Sequence, residues 1–118
     1  MAIQIIKQSH TNDQLLSTAG PAKPLTQPPC KTKDLSIALD GAGANDQGVW
    51  ECTPGSFERQ IESAEVMHIL TGSATFTPVG GEPVSFGAGD TVFFPENTFG
   101  VWEINETVRK VYVIFSGV

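Results

Sequence analysis

Apolar and polar residues alternate with a period of two in short runs along most of the chain after residue 34. Turn residues, mainly Gly, Pro, Asn and Asp, end each run at intervals of roughly 8 to 12 residues, and no longer window shows helical periodicity. The predicted strands are Leu35 to Leu39, Val49 to Thr53, Phe57 to Ile61, Glu65 to Leu70, Ala74 to Val79, Pro83 to Phe86, Thr91 to Phe94, Gly100 to Ile104 and Val108 to Phe115. This pattern predicts an all-β protein, an antiparallel double-sheet barrel.

The first third of the chain has a different pattern from the rest. Residues 1–34 are polar and are interrupted by Gly20, Pro21, Pro24, Pro28 and Pro29, so we predict an N-terminal arm there and a single barrel over residues 35–118. Ile3 and Ile5 alternate with a polar residue at strand spacing, which predicts an edge strand on the chain's own barrel or on a partner subunit. Residues 12–18 leave room for one helical turn capped by Asn12.

Composition narrows the range of functions. The chain has 118 residues, seven basic and thirteen acidic side chains, and a formal charge of −6, so its average field repels nucleic acid and anionic membrane surfaces. No apolar run is long enough to span a bilayer, and the start lacks the pattern of a secretory leader. Cys30 and Cys52 stand far apart without a metal-binding or disulfide pattern, which favours free thiols in the reducing cytoplasm.

Two short motifs and their flanks carry a family resemblance. Glu65 is followed after six residues by Gly72, and GDTVFFP covers residues 89–95, as in the two sequence motifs of cupins. With GVWECTPGSF at 48–57 and ETVRKVYVI at 106–114, the chain resembles the small single-domain cupins grouped with ureidoglycine aminohydrolase and the ethanolamine-utilisation cupin. The resemblance implies a cupin barrel of the jelly-roll type.

The resemblance also implies where a metal would bind. Cupin metal centres take two His and one Glu from the first motif and one His from the second, a set that suits Mn, Fe, Ni or Zn. Here only Glu65 remains of that set. The paired His positions hold Glu58 and Gln60 in one register or Arg59 and Ile61 in the other, and Gly100 stands at the last His position. We therefore expect no metal cofactor, with a divalent transition metal on non-standard ligands as the alternative.

Glu65 is the main candidate for a binding residue, because the motif directs it into the barrel. A carboxylate in an apolar cavity requires a partner, and Arg59 and Lys110 are the candidates. Arg59 as a solvated residue, an Arg109–Lys110 pair at the surface, and a purely structural Glu65 are the alternatives. His68 lies three residues from Glu65 and so points to the opposite face of its strand.

Aromatic residues and the last strand complete the candidate site. Trp102 follows Gly100 by two residues and points where the missing His would point, so Trp102 lines or fills the cavity; Trp50 is placed with it. In the last strand, Lys110, Tyr112 and Ile114 share one face. We expect the opposite face, formed by Val111, Val113 and Phe115, to be core.

Three functions remain open from the sequence. The first is a metal-free protein that binds a small polar metabolite through Glu65, Arg59, Trp50, Trp102 and Lys110. The second, implied by the resemblance, is a metal-dependent aminohydrolase-like enzyme acting on a ureido or amide compound. The third is a dimeric structural protein with a filled barrel. In each case we expect a homodimer, with the arm docked on the partner.

Overall fold

The computed structural model of the protein describes residues 3–7 and 9–116, and this part of the chain is all-β. Nine strands are present over the described residues, and no helix is found there. They are β1 (Leu16–Ser17), β2 (Lys23–Pro24), β3 (Thr32–Ser36), β4 (Asp46–Cys52), β5 (Gly55–Ile61), β6 (Glu65–Pro78), β7 (Val84–Gly87), β8 (Thr91–Phe94) and β9 (Thr98–Ile114). The strand pairs in the described part of the chain are all antiparallel, as the sequence predicts.

Two long strands, β6 and β9, bend the sheet into a barrel with two layers. The C-terminal half of β9 pairs with β4 and with the first half of β6, which also pairs with β8. The N-terminal half of β9 pairs with β5 and with the second half of β6, which also pairs with β7. Because both long strands pass from one layer to the other, the double-sheet barrel is a single curled antiparallel sheet of the jelly-roll type.

The predicted break inside β6 is wrong, and the reason is a bulge at Gly72. The pairing of β6 with β9 shifts register between Ile69 and Ala74, and Gly72 has a φ of 86°. A Cβ atom on Gly72 would lie 2.1 Å from the carbonyl oxygen of Thr107, so only glycine fits this bend. The strand therefore continues through the glycine. The break predicted between Ile104 and Val108 is wrong for the same reason, since β9 is the partner in this bend.

The core lies between the two layers and is rich in aromatic rings. Its buried residues are Cys30, Cys52, Phe57, Ile61, Met67, Ile69, Ala74, Phe76, Phe86, Phe94, Trp102, Ile104, Val108 and Tyr112. The expected core face of the last strand is wrong, because Val111 and Val113 are only half-buried and Phe115 is exposed. The inward face is the one that carries Lys110 and Tyr112, both buried. The barrel interior at this strand is therefore polar as well as aromatic.

The N-terminal segment packs on its own barrel. β1 pairs with β3 and β2 pairs with β5, and the barrel's first long strand, β3, starts at Thr32, three residues before the predicted start. The guanidinium of Arg109 donates to the backbone carbonyls of Ser9 and Asn12, at 3.2 and 2.7 Å. Leu15, three residues after Asn12 in the chain, is buried. Part of the predicted arm is thus integrated into the barrel.

One local expectation for this segment is not met, and a second one stays a prediction. The capped helical turn at residues 12–18 is not formed, because Leu16 pairs with Asp34 in β1 and β3. The side chain of Asn12 instead accepts a hydrogen bond from the backbone N–H of Gln14 at 2.7 Å, in a turn. Ile3 and Ile5 are exposed and outside any strand. Their docking on a partner subunit stays a prediction.

Both cysteines are buried, and neither forms a disulfide. In the part of the chain that the structure describes, no helix is long and apolar enough to cross a membrane.

Candidate functional site

A cavity of about 1150 Å³ opens into the barrel. Residues of β4, β5, β6 and β9 line its inner wall, and the segment from Thr18 to Lys23 borders its mouth. All five residues proposed from the sequence line it, namely Trp50, Arg59, Glu65, Trp102 and Lys110. The fold therefore brings these residues, which are up to 60 positions apart in the chain, to one space.

A buried ion pair forms the polar centre of this cavity. The Nζ atom of Lys110 donates to Oε2 of Glu65 at 2.8 Å, and both side chains are at least nine-tenths buried. Glu65 starts β6 and Lys110 lies in the adjacent half of β9, where Glu65 pairs with Ile114, so the two side chains reach each other along the inner face. Of the two cationic candidates from the sequence, Lys110 is the one that contacts Glu65.

Aromatic rings surround the ammonium group of Lys110. Its Nζ atom lies 4.7 Å from the ring centre of Trp50, 5.6 Å from that of Trp102 and 5.7 Å from that of Tyr112. Such contacts stabilise a cation through the negative faces of the rings. Burial nevertheless lowers the pKa of Lys110, and the carboxylate of Glu65 opposes that shift. The buried ammonium is thus held by the charge of Glu65 and by three aromatic rings.

Trp102 fills the base of the cavity. It is stacked on Phe94 with ring centres 5.5 Å apart and on Phe57 at 6.4 Å, and it makes edge contacts with Phe76 and Phe86. Only 3% of its surface is exposed. The ring therefore occupies space at the bottom of the barrel and leaves the cavity open above it, towards Trp50 and Lys110.

Arg59 lies at the rim of the same cavity. On β5 it has the same parity as the buried residues Phe57 and Ile61, yet it is exposed. It stands opposite Gly100 on β9, and its positive charge contributes to the lowered pKa of Lys110, after burial. Among the described residues no ion pair with Arg59 is present. Its guanidinium is thus available to a group that enters the cavity.

Sequence reasoning missed Asp34 as a member of the site. The hydroxyl of Tyr112 donates to Oδ1 of Asp34 at 2.9 Å, and both residues line the cavity. Burial raises the pKa of Asp34, and burial with the bond to Asp34 raises the pKa of Tyr112. Tyr112 could be grouped with the site from the sequence, because it lies two residues from Lys110 and so shares its face of the strand. No sequence signal indicated Asp34, because it fell in the segment predicted to be an arm.

His68 and Cys52 lie outside this chemistry. His68 is exposed on the opposite face of β6 from Glu65, with Nδ1 2.8 Å from the hydroxyl of Thr91. Cys52 is completely buried, and burial and the neighbouring Cys30 raise the pKa of its thiol. A raised pKa disfavours the reactive thiolate. Neither residue is therefore part of the cavity's polar centre.

The residues at the cupin metal positions do not fit a metal ion. No group of three His, Cys, Asp or Glu able to hold an ion is found within the described ranges 3–7 and 9–116. Glu65 already carries an ammonium as its partner, and Gly100 stands where the last His would be. A Cβ atom on Gly100 would lie 2.3 Å from the backbone oxygen of Thr77 and 2.7 Å from the ring of Phe76. No larger side chain fits there without a backbone shift.

The second motif retains its shape without its ligand. Asn97, at the position where the motif has Gly, adopts a φ of 56°, the left-handed conformation that Asn tolerates better than most residues. The chain therefore makes a left-handed turn at Asn97, although Gly100 supplies no metal-binding side chain.

Comparisons with known proteins agree with this architecture. The family model described as the EutQ-like cupin domain matches residues 39–112. No curated protein matches the chain. A protein of unknown function of the DUF861 family from Pseudomonas syringae pv. tomato shares the fold with a TM-score of 0.76 and 24% identity, over 86% of this chain and 44% of that one. The present chain thus spans less than half the length of that protein.

Two EutQ structures share the same fold. The EutQ protein of Clostridium difficile aligns with a TM-score of 0.65 and 17% identity, over 79% of this chain and 75% of that chain. A putative ethanolamine utilization protein Q of Salmonella typhimurium aligns with a TM-score of 0.62 and 21% identity, over 74% of this chain and 69% of that chain. At these identities the structural similarity supports a shared fold but does not identify a ligand.

Proposed function

The chain belongs to the EutQ-like cupin family, and from this premise we propose that its barrel binds a small polar metabolite without a metal ion. The observation that carries the proposal is the buried Glu65–Lys110 pair in the wall of an open cavity. Burying two charges is costly, and replacing such a pair by apolar residues is often neutral or stabilising. A pair retained beside a cavity therefore favours a role in binding over a role in stability.

The polar groups of the cavity match a ligand that carries an anionic group and a second polar group. Glu65 uses one carboxylate oxygen for Lys110, and Lys110 has N–H donors beyond the one that it gives to Glu65. Arg59 at the rim is suited to hold a carboxylate through paired hydrogen bonds. Trp50, which is half-buried in the cavity wall, offers a ring face for the planar part of an amide or a carboxylate, and Trp102 forms the floor beneath it.

We propose that Lys110 takes over the charge balance that a metal provides in other cupins. Its ammonium places a positive charge beside the carboxylate of Glu65. The lack of room for a side chain at Gly100 argues against a metal ligand at that position. The aminohydrolase-like alternative needs a metal-bound water and has no specific support among these residues. The filled-barrel alternative is disfavoured by the cavity of about 1150 Å³ that remains above Trp102.

Two further parts of the proposal concern the environment of the protein. We propose a homodimer, supported by the exposed apolar side chains of Ile3, Ile5 and Phe93. We also propose a cytoplasmic location, supported by the two free thiols of Cys30 and Cys52. Light scattering that gives a monomer at micromolar concentration would contradict the dimer.

The binding function is tested with protein purified without a chelator or a metal-carrying tag. Elemental analysis should give far less than one Mn, Fe, Ni or Zn per chain. A thermal-shift screen of small carboxylates, amino acids and amides should give a ligand that stabilises the wild type and the Glu103→Gln variant but not Glu65→Gln. Glu103 is exposed, so its variant removes the same charge away from the cavity. Equal stabilisation of both variants, or one bound metal per chain, would overturn the proposal.

A further inference from the structure

We propose that Lys110 forms a reversible imine with the carbonyl group of a short 2-oxo acid bound in the cavity. This inference rests on the proposed function, because it names the class of ligand for the same site. The inference begins with the position of the amine of Lys110. Lys110 is buried in the cavity wall, whereas Lys23 is exposed at the cavity mouth and Lys7, Lys31 and Lys33 are exposed away from the cavity.

The first requirement of imine formation is a nucleophilic amine with a proton acceptor in contact. Oε2 of Glu65 lies 2.8 Å from Nζ of Lys110, which is hydrogen-bond distance and suits direct proton transfer. The burial that lowers the pKa of Lys110 favours the neutral amine beyond what a surface lysine offers. A pair that only balanced charge would need no open cavity beside it. It would also not require a lowered pKa of Lys110.

The proton and electron movements balance within this pair. The ammonium of Lys110 passes a proton to the carboxylate of Glu65, and the nitrogen lone pair forms the C–N bond while the carbonyl π electrons move to oxygen. That oxygen takes the proton from Glu65, which then accepts a second proton from nitrogen. Glu65 returns this proton to the hydroxyl group, the C–O bond breaks, and water leaves as the nitrogen lone pair forms the C=N bond. The products are a protonated imine, ionised Glu65 and one water, with no external co-reactant.

The second requirement is a group that directs the carbonyl to Lys110. Arg59 supplies it, because its guanidinium is exposed at the rim of the same cavity and acts electrostatically on Lys110. A carboxylate held by Arg59 leaves an adjacent carbonyl free to reach further into the barrel. The rings of Trp50, Trp102 and Tyr112 that surround Nζ of Lys110 then shield the resulting cation, which keeps the positive charge of the ammonium.

The inference is tested by reductive trapping of the whole protein. Pyruvate or glyoxylate is added with cyanoborohydride, which reduces an imine to a stable secondary amine, and the modified residues are located by peptide mass spectrometry. We expect Lys110 to gain the mass of the ligand less one oxygen atom. It should be labelled about tenfold or more faster than the four exposed lysines, the factor that one charge-assisted hydrogen bond to the ligand supplies. Labelling spread equally over all five lysines would overturn the inference.

Two variants sharpen the test. Lys110→Arg keeps a cation beside Glu65 but cannot form an imine, so it should lose the specific label and remain folded. Arg59→Gln removes the exposed group that would hold the carboxylate, so it should slow labelling by pyruvate about tenfold more than labelling by the uncharged propionaldehyde, for which only the electrostatic effect of Arg59 on Lys110 is lost. Equal effects on both carbonyl compounds would contradict the role of Arg59 in directing the carbonyl.

The 2-hydroxy acid lactate separates this inference from the proposed function. It has the charge and nearly the shape of pyruvate but no carbonyl. If lactate and pyruvate both stabilise the wild type and not Glu65→Gln, while no label appears on Lys110, the cavity binds small acids and the imine is wrong. If no compound stabilises the protein and none labels Lys110, the binding function itself fails.

Discussion

Nζ of Lys110 lies 2.8 Å from Oε2 of Glu65 inside the barrel, where cupins with a metal centre place an ion beside the same glutamate. The two residues come from neighbouring strands, β6 and β9, and are separated by 45 positions in the chain. Because one carboxylate and one ammonium are buried together, each depends on the other. This dependence makes the pair accessible to mutational tests of stability as well as of binding.

Removal of one partner should cost much more stability than removal of both. Lys110→Met leaves Glu65 buried without its cation and should lower the free energy of unfolding by about 3 to 5 kcal/mol. The double variant Glu65→Leu with Lys110→Met buries no charge and should lose less than either single variant. Urea unfolding measures all three. Losses that simply add in the double variant would show that the two side chains do not interact.

The pH dependence of Tyr112 can be followed directly, because it is the single tyrosine of the chain. Burial and the hydrogen bond to Asp34 raise the pKa of Tyr112 above its ordinary value of 10.0. Above pH 10.0 the folded state therefore holds more protons than the unfolded state, and this contribution to stability falls as pH rises. The near-ultraviolet absorbance of tyrosinate should appear only when the protein unfolds, and the loss of stability should be smaller in Tyr112→Phe. Tyrosinate in the folded protein just above pH 10.0 would contradict the buried hydrogen bond.

Arg109 should hold the N-terminal segment on the barrel. Its guanidinium donates to the carbonyls of Ser9 and Asn12 and to Oε1 of Glu51. Arg109→Gln should lower the free energy of unfolding by about 1 to 3 kcal/mol and increase hydrogen exchange in residues 9–15. Arg59→Gln, which removes an exposed guanidinium, is the control. Unchanged exchange in residues 9–15 would show that other contacts hold the segment.

Gly100 should not accept a side chain, including the histidine that would restore the motif. A Cβ atom there would lie 2.3 Å from a backbone oxygen of Thr77, so Gly100→Ala should lower the free energy of unfolding by about 2 kcal/mol or more. Gly43→Ala is a control with no atom within 4 Å and only the strain of its φ of 66°, for about 1 kcal/mol. Thermal unfolding compares the two variants. A smaller loss in Gly100→Ala than in Gly43→Ala would mean that β6 moves away easily.

Much of the fold follows from local sequence signals. The alternation of apolar residues locates β4, β5, β7 and β8 to within three residues of their observed bounds, because each is short and ends at a turn. The breaks at Gly72 and between Ile104 and Val108 were wrong because a glycine at a bulge has the same local signal as a glycine at a turn. Which of the two is formed depends on pairing with a distant strand.

Several residues that line the cavity could be named from the sequence, whereas their contacts could not. The motif directed Glu65 inward, and strand parity grouped Lys110 with Tyr112. Whether Arg59 or Lys110 meets Glu65 depends on the register between strands, and side-chain alternation within one strand carries no information on that. The core face of β9 was assigned wrongly, because Val111 and Val113 look more apolar than Lys110 until its carboxylate and aromatic partners are known.

The most direct test of metal-free binding uses the fluorescence of Trp50 and Trp102, the two tryptophans of the chain, both of which line the cavity. Protein freed of metals with EDTA is titrated with pyruvate and lactate. The account predicts a saturable change in fluorescence in the wild type and in Glu103→Gln, its loss in Glu65→Gln, and no effect of added Mn, Fe, Ni or Zn. A change that appears only when one of these metals is added back, or that persists in full in Glu65→Gln, would contradict it.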